Sequence, residues 1–334
     1  MQLMSGLILV VLAGLLQGSF ILPMTLTRAW KWEHTWAAFS LLGMLIFNWA
    51  IGLSVLPHLA DAIRLCPPDS IRILLLLGAC WGAGAVLFGL GMERLGMAVG
   101  YPVIMGLILS LGALIPLIQS GASELFTQSG VLLLTGLCAV LLGIVLCSWA
   151  AARKDRDDPH GHSSATAAGL TIAIFAGVLS CLPNVGLNNE AALTASAIRQ
   201  GAAPGMAANA AWVVQFTAGF AVNFLYCVFM AIKRRNLGLV RLESIRNLAL
   251  VAAMALMWIG SFYFYGMGAA RMGRWGAIAG WPIFISLSIL VGNLWGISRG
   301  EWRSALPRAR TQLNRGLIAV LVAVVIFALS SAMH

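Results

Sequence analysis

The sequence predicts an all-α integral membrane protein with ten transmembrane helices in two inverted five-helix repeats. Three observations predict it: an apolar composition, ten charge-free windows, and a motif that recurs at a fixed offset. Of the 334 residues, 60% are hydrophobic and only 10% are charged, against about 25% charged in a soluble domain. A globular protein of this size could not bury so much apolar sequence. Soluble enzymes, nucleic-acid binders and disordered chains are therefore excluded. The net charge of +10 is read as a record of topology, with no nucleic-acid partner, because membrane proteins concentrate Lys and Arg in cytoplasmic loops. Of six cysteines, Cys80, Cys138, Cys147, Cys181 and Cys227 lie in apolar stretches, where the thiol acts as a small hydrophobe. No CxxC spacing suggests a metal site or a disulfide frame.

The charge-free windows are Met1–Thr27, Trp36–Ala60, Ile73–Met92, Leu95–Ser123, Leu125–Ala152, Ser163–Asn189, Gln200–Ile232, Asn247–Ala270, Trp275–Ser298 and Gly316–Met333. Each comes close to or exceeds the ~20 residues a helix needs to cross the hydrocarbon core. Strand-like alternation is absent, which argues against a barrel. The N-terminus lacks a signal peptide's basic region and cleavage pattern, so the first window is expected to be a mature helix. Sixteen of the 21 Lys and Arg fall in the loops after helices 1, 3, 5, 7 and 9. The positive-inside rule then puts those loops in the cytoplasm and both termini outside.

Trp81-Gly82, Phe88-Gly89-Leu90-Gly91 and Arg94-Leu95-Gly96 read again, 177 residues later, as Trp258-Ile259, Tyr265-Gly266-Met267-Gly268 and Arg271-Met272-Gly273. Gly100-Tyr101-Pro102 recurs as Gly280-Trp281-Pro282. Trp36, Gly43 and Asn48 match Trp212, Gly219 and Asn223. Five helices per copy is an odd number, so the second copy must enter the membrane upside down, an architecture of alternating-access transporters. The expected division is a first repeat over 1–150, a cytoplasmic linker over 151–165 and a second repeat over 166–334. His160-Gly161-His162 beside two Asp reads as hydrophilic linker in preference to a metal site.

Polar groups inside a membrane are costly, so each one is a candidate for function. In helix 6, Ser180, Asn184 and Asn188 fall at i, i+4 and i+8, and Pro183 and Gly186 weaken the helix between them. One reading is a broken helix lining a cavity. The other is a helix that simply ends there. Glu190 is the carboxylate nearest this cluster and the candidate for proton coupling, since burial raises a carboxyl pKa toward working pH; the alternative is a solvated loop acid. Glu33, Glu93, Glu124 and Glu301 are assigned to loops. Gln17, Asn48 and Gln215 lie near mid-helix and suit the polar groups of a neutral solute, or bonds between helices. Trp258, Ser261 and Tyr265 share one face of helix 8, and Trp81 holds the matching place in helix 3. Aromatic faces offer stacking surfaces to a solute, and Tyr101 and Trp281 extend the surface.

With these residues laid out, the chain resembles the L-rhamnose–proton symporter family of the drug/metabolite transporter superfamily. The likeness runs through Lys31-Trp32-Glu33, Trp81-Gly82-Ala83-Gly84, Arg94-Leu95-Gly96-Met97, Met257-Trp258, Phe262-Tyr263-Phe264-Tyr265, Gly268-Ala269-Ala270-Arg271 and Glu301-Trp302. It departs from the family pattern at Ser261, at Ala269 and in lacking an acid near Gly276-Ala277. The resemblance implies a bacterial inner-membrane carrier that takes up a deoxy-sugar with a proton as coupling ion and no cofactor. Export or uniport of another small metabolite is the alternative, and a receptor or scaffold is the alternative from a different class. An enzyme is not expected, because acids and histidines are scattered across loops.

Overall fold

The computed structural model describes residues 2–156, 167–303 and 305–333. Ten helices are long and apolar enough to cross a membrane: α1 Gln2–Leu26, α2 Trp32–Val55, α3 Pro68–Leu95, α4 Val99–Ser120, α5 Gln128–Lys154, α6 Ala167–Asn188, α7 Pro204–Lys233, α8 Ser244–Met272, α9 Gly276–Ser298 and α10 Pro307–Ala332. No strand occurs among the described residues. Most of the 151–165 segment, including His160 and His162, lies outside the described residues; the part that is described, 151–156, is helical.

Several boundaries differ from the charge-free windows. Helix α2 starts at Trp32 and α10 at Pro307, earlier than expected, because a charged side chain at a membrane surface still permits helical backbone. Helical hydrogen bonding continues without a break from α3 into α4. The axis nevertheless turns back, since the Gly91 backbone packs beside the Ile104 side chain. Helix α6 breaks at Cys181, between Ala167–Ser180 and a half-helix Leu182–Asn188. Pro183 cannot supply the N–H that would continue the ladder. Two segments adopt wider π turns, Ser40–Phe47 within α2 and Gly276–Gly280 at the start of α9.

Small residues bring the helices together, as the lack of a hydrophobic drive within lipid requires. Helix α1 packs on α8 and α9 through Gly6, Gly14 and Gly18, while α6 packs on α3 and α4 through Gly84 and Gly177. Gly136, Gly143 and Gly316 seat α5 against α10. Positions matched in the sequence meet in reciprocal pairs. Trp36 Nε1 donates to Asn223 Oδ1 at 3.0 Å, and Asn48 Nδ2 donates to the Trp212 carbonyl at 3.0 Å. Trp81 lies against Gly219, and Trp258 against Gly43.

The loops sort into two faces. After α1 and α7, Trp30 Nε1 donates to the Leu242 carbonyl and Arg234 pairs with Glu33; after α5 and α9, Lys154 Nζ donates to the Glu301 carbonyl. On the other face, Ser196 donates to the Ala62 carbonyl between the loops after α6 and α2, and Arg274 pairs with Glu124 between those after α8 and α4. We refer to these as the odd-loop and even-loop faces.

The close packing is testable at α3. A Cβ on Gly78 would lie 2.1 Å from the Gln215 carbonyl oxygen, whereas nothing lies within 4 Å of one on Gly89. Gly78→Ala should cost about 1–3 kcal/mol, since backbone cannot yield as a side chain can. Gly89→Ala should be neutral or stabilising, because Ala is favoured over Gly in a helix by about 1 kcal/mol. Melting of the two purified variants in detergent checks the contrast.

Candidate functional site

A cavity of about 550 Å³ enters the protein from the odd-loop face. Met24, Trp32 and Met92 line its mouth, and Trp81, Trp258, Phe262, Pro183 and Trp281 line its deeper part. The walls are mainly aromatic rings and Met side chains. Gln17, Tyr101, Ser180 and Ser288 supply the polar side chains, and no Asp, Glu, Lys, Arg or His is among the described lining residues. Such a surface offers stacking faces and a few directional hydrogen bonds, and it gives no counter-charge to an ion.

Of the residues expected to contact substrate, the cavity brings together Gln17, Trp81, Tyr101 and Trp258. The two sequence-matched tryptophans stack, with ring centroids 5.9 Å apart and planes at 16°. Phe216 packs behind both, at 5.0 Å and 4.8 Å. Ser261 sits one layer behind the wall: its hydroxyl lies 2.7 Å from Gln17 Oε1 and 2.6 Å from the Trp258 carbonyl. A hydrogen bond from Ser261 leaves the Gln17 amide nitrogen as the group with donors free for the cavity.

The other expected residues lie outside the lining. Asn48 is fully buried between α2 and α7, holding the Met44 and Trp212 carbonyls and accepting from Tyr263. Gln215 packs against the half-helix, its Nε2 3.5 Å from the Pro183 carbonyl and its Oε1 buried without a hydrogen-bond partner among the described residues. Asn188 donates to Gln119 Oε1 at 2.8 Å near the even-loop face. Asn184 and Tyr265 lie beneath the cavity floor and are fully buried. Asn184 Nδ2 donates to the carbonyls of Gly112 at 2.7 Å and Ala277 at 2.8 Å, and its Oδ1 accepts from the Tyr265 hydroxyl. Tyr265, Trp212, Phe216 and Phe284 form the packed aromatic layer that closes the protein on that side.

Two carboxylates flank this arrangement at opposite faces. Glu190 precedes the short helix Ala191–Arg199 and accepts from the Thr194 hydroxyl. It is partly buried, and that burial pushes its carboxyl up to about 8, with the Thr194 backbone N–H offsetting part of the rise. Glu33, expected in a loop, is instead in the first turn of α2 with its side chain fully buried. It holds Arg234 at 3.0 Å and Asn236 Nδ2 at 2.6 Å. His34 beside it contacts the Asn236 carbonyl at 3.0 Å. This cluster fixes the start of α2, which carries the mouth residues Trp32 and Trp36. The charge on Glu33 ended the charge-free window and so concealed its place in the helix. Among the described residues no group of three or more His, Cys, Asp or Glu could hold a metal.

A family model described as the L-rhamnose-proton symport protein matches residues 2–333. An L-rhamnose-proton symporter of Klebsiella pneumoniae (strain 342) is 29% identical over 322 residues, covering 94% of each chain. One from Salmonella dublin is 28% identical over 322 residues, with the same coverage. One from Escherichia coli (strain SMS-3-5 / SECEC) is 28% identical over 313 residues, covering 91% of each.

The Glu190 environment predicts a pH dependence of stability. Below the ordinary 4.5 both folded and unfolded chains hold the proton. Between 4.5 and about 8 the unfolded chain releases it while the folded chain keeps it, so stability falls as pH rises through that window. The melting temperature of Glu190→Gln minus that of the parent should therefore grow from pH 4.5 to about 8 and then level off. A difference that stays flat with pH would place Glu190 in water.

Proposed function

The chain belongs to the L-rhamnose-proton symport protein family, and from that premise we propose that it takes up L-rhamnose or a related deoxy-sugar with a proton, by alternating access. The observation that carries this reading is the charge-free, aromatic-lined cavity, open on one face and sealed by a packed layer on the other. A neutral sugar presents a C–H face and a methyl group to Trp81 and Trp258, and hydroxyls to Gln17, Tyr101 and Ser180. A uronic acid or sugar phosphate would have to surrender its hydration with no counter-charge in return.

The reciprocal contacts of α2 with α7, and the stacked pair Trp81–Trp258, are what a two-fold relation between inverted halves requires. With the odd-numbered loops cytoplasmic by the positive-inside rule, both termini are periplasmic in a bacterial inner membrane, and the cavity faces inward. Glu190 carries the coupling proton, and no cofactor takes part. One observation favours a second reading, uniport: the described cavity lining places no acid or base beside the sugar.

Purified protein in liposomes separates the two. An inward proton gradient should drive L-rhamnose accumulation, and Glu190→Gln should leave only equilibration of the sugar across the membrane. Uptake indifferent to the gradient would establish uniport instead. Trp258→Leu should raise KM for the sugar roughly tenfold, corresponding to ~1.4 kcal/mol of lost stacking, and should also lower the melting temperature, because the ring is buried against Trp81 and Phe216.

A further inference from the structure

We propose that Asn184 is the latch that keeps the cavity shut on the even-loop face, and that it must let go for the cavity to open there; this rests on the alternating-access reading. Its two amide protons are both committed, to the carbonyls of Gly112 in α4 and Ala277 in α9, while its oxygen accepts from Tyr265 in α8. One neutral side chain thus joins three helices to its own. The buried Asn48, by contrast, joins two helices to its own, through the Trp212 carbonyl of α7 and the Tyr263 hydroxyl of α8.

The position suits a gate. Pro183, the preceding residue, lines the cavity, so the latch lies directly beneath the floor. The half-helix Leu182–Asn188 that carries it is separated from the rest of α6 by the break at Cys181 and ends at Asn189. It can therefore shift without bending a continuous helix. Ala277 belongs to the π-helical turn at the start of α9, where wide backbone geometry marks functional adjustment in many helices. One turn along α4 from Gly112, the Ile108 carbonyl accepts from Trp281 Nε1 at 3.0 Å, and Trp281 lines the cavity. The bonds of Asn184 to α4, α8 and α9, with that of Trp281 to α4, tie these helices together, so an opening that separates α4 from α8 and α9 must break them. Neutral hydrogen bonds between membrane helices are individually weak, which lets the seam part reversibly.

The test compares two reporter cysteines in the full-length protein in nanodiscs, where a bulky polar maleimide reaches both faces. Met92→Cys reports the open mouth. Leu187→Cys, buried one turn beyond Asn184, reports the closed side. Labelling rates are read by peptide mass mapping. Adding Asn184→Ala should speed labelling at position 187 at least tenfold and slow it at position 92, a reciprocal change that mere loosening would not give. An unchanged rate at 187, or a faster rate at both positions, would overturn the proposal. If Asn184→Ala does not fold, Tyr265→Phe, which removes a single hydroxyl from the cluster, decides by the same two rates. No sugar or gradient is involved, so this result stands apart from the transport assay.

Discussion

Everything in this protein answers to one constraint: a polar group within the hydrocarbon has no water to fall back on and must find its partner in the protein. Charge is confined to the two faces for that reason, where the odd-numbered loops gather sixteen of the 21 basic residues. Within the membrane many of the polar side chains are amides, hydroxyls and indoles that bond across helices. Trp36 to Asn223, Asn48 to Trp212 and Asn184 to α4 and α9 are examples. The same rule makes the cavity conspicuous, because Gln17, Tyr101 and Ser180 are among the polar groups that face an open space.

That constraint also shapes how the protein can move. Helices held by small residues and scattered neutral bonds slide or part more readily than helices locked by buried ion pairs. The buried carboxylate Glu33 is held by Arg234 and Asn236 at the odd-loop end, where it anchors α2 beside the cavity mouth. Beneath the floor the ties are amide–carbonyl and hydroxyl bonds. The mouth thus has a charged clamp and the floor a neutral one, and the neutral one costs less to exchange.

The sequence made the architecture legible because ten apolar windows and a repeated motif are long signals that local detail cannot erase. Pro183 and Gly186 left two readings of α6 open, a broken helix or a helix that ends, and the structure has the break, at Cys181 with the half-helix Leu182–Asn188 beyond it. What composition concealed was direction. Asn48, Gln215 and Gln17 share a similar depth, yet of the three Gln17 alone lines the cavity; the other two satisfy neighbouring backbone. Ser261 and Tyr265 share a helix face with Trp258, but each is one layer back, because the face of α8 is wider than the cavity it borders. Glu33 was hidden by its charge, which reads as loop until Arg234 and Asn236, some two hundred residues away, are seen to meet it.

The separation of sugar and acid has a mechanistic consequence. No Asp or Glu is among the described lining residues of the cavity, so on the proposals that the sugar binds there and that Glu190 carries the proton, the two ligands can influence one another only through the protein between them. That protein is the half-helix Leu182–Asn188, with Pro183 at the cavity floor, Asn184 in the seam, and Asn188 and Glu190 at the even-loop end. A segment whose two ends answer to different ligands is coupled to both by the position it adopts. Coupling then requires the proton on Glu190 and the sugar above Pro183 to favour the same position of that segment.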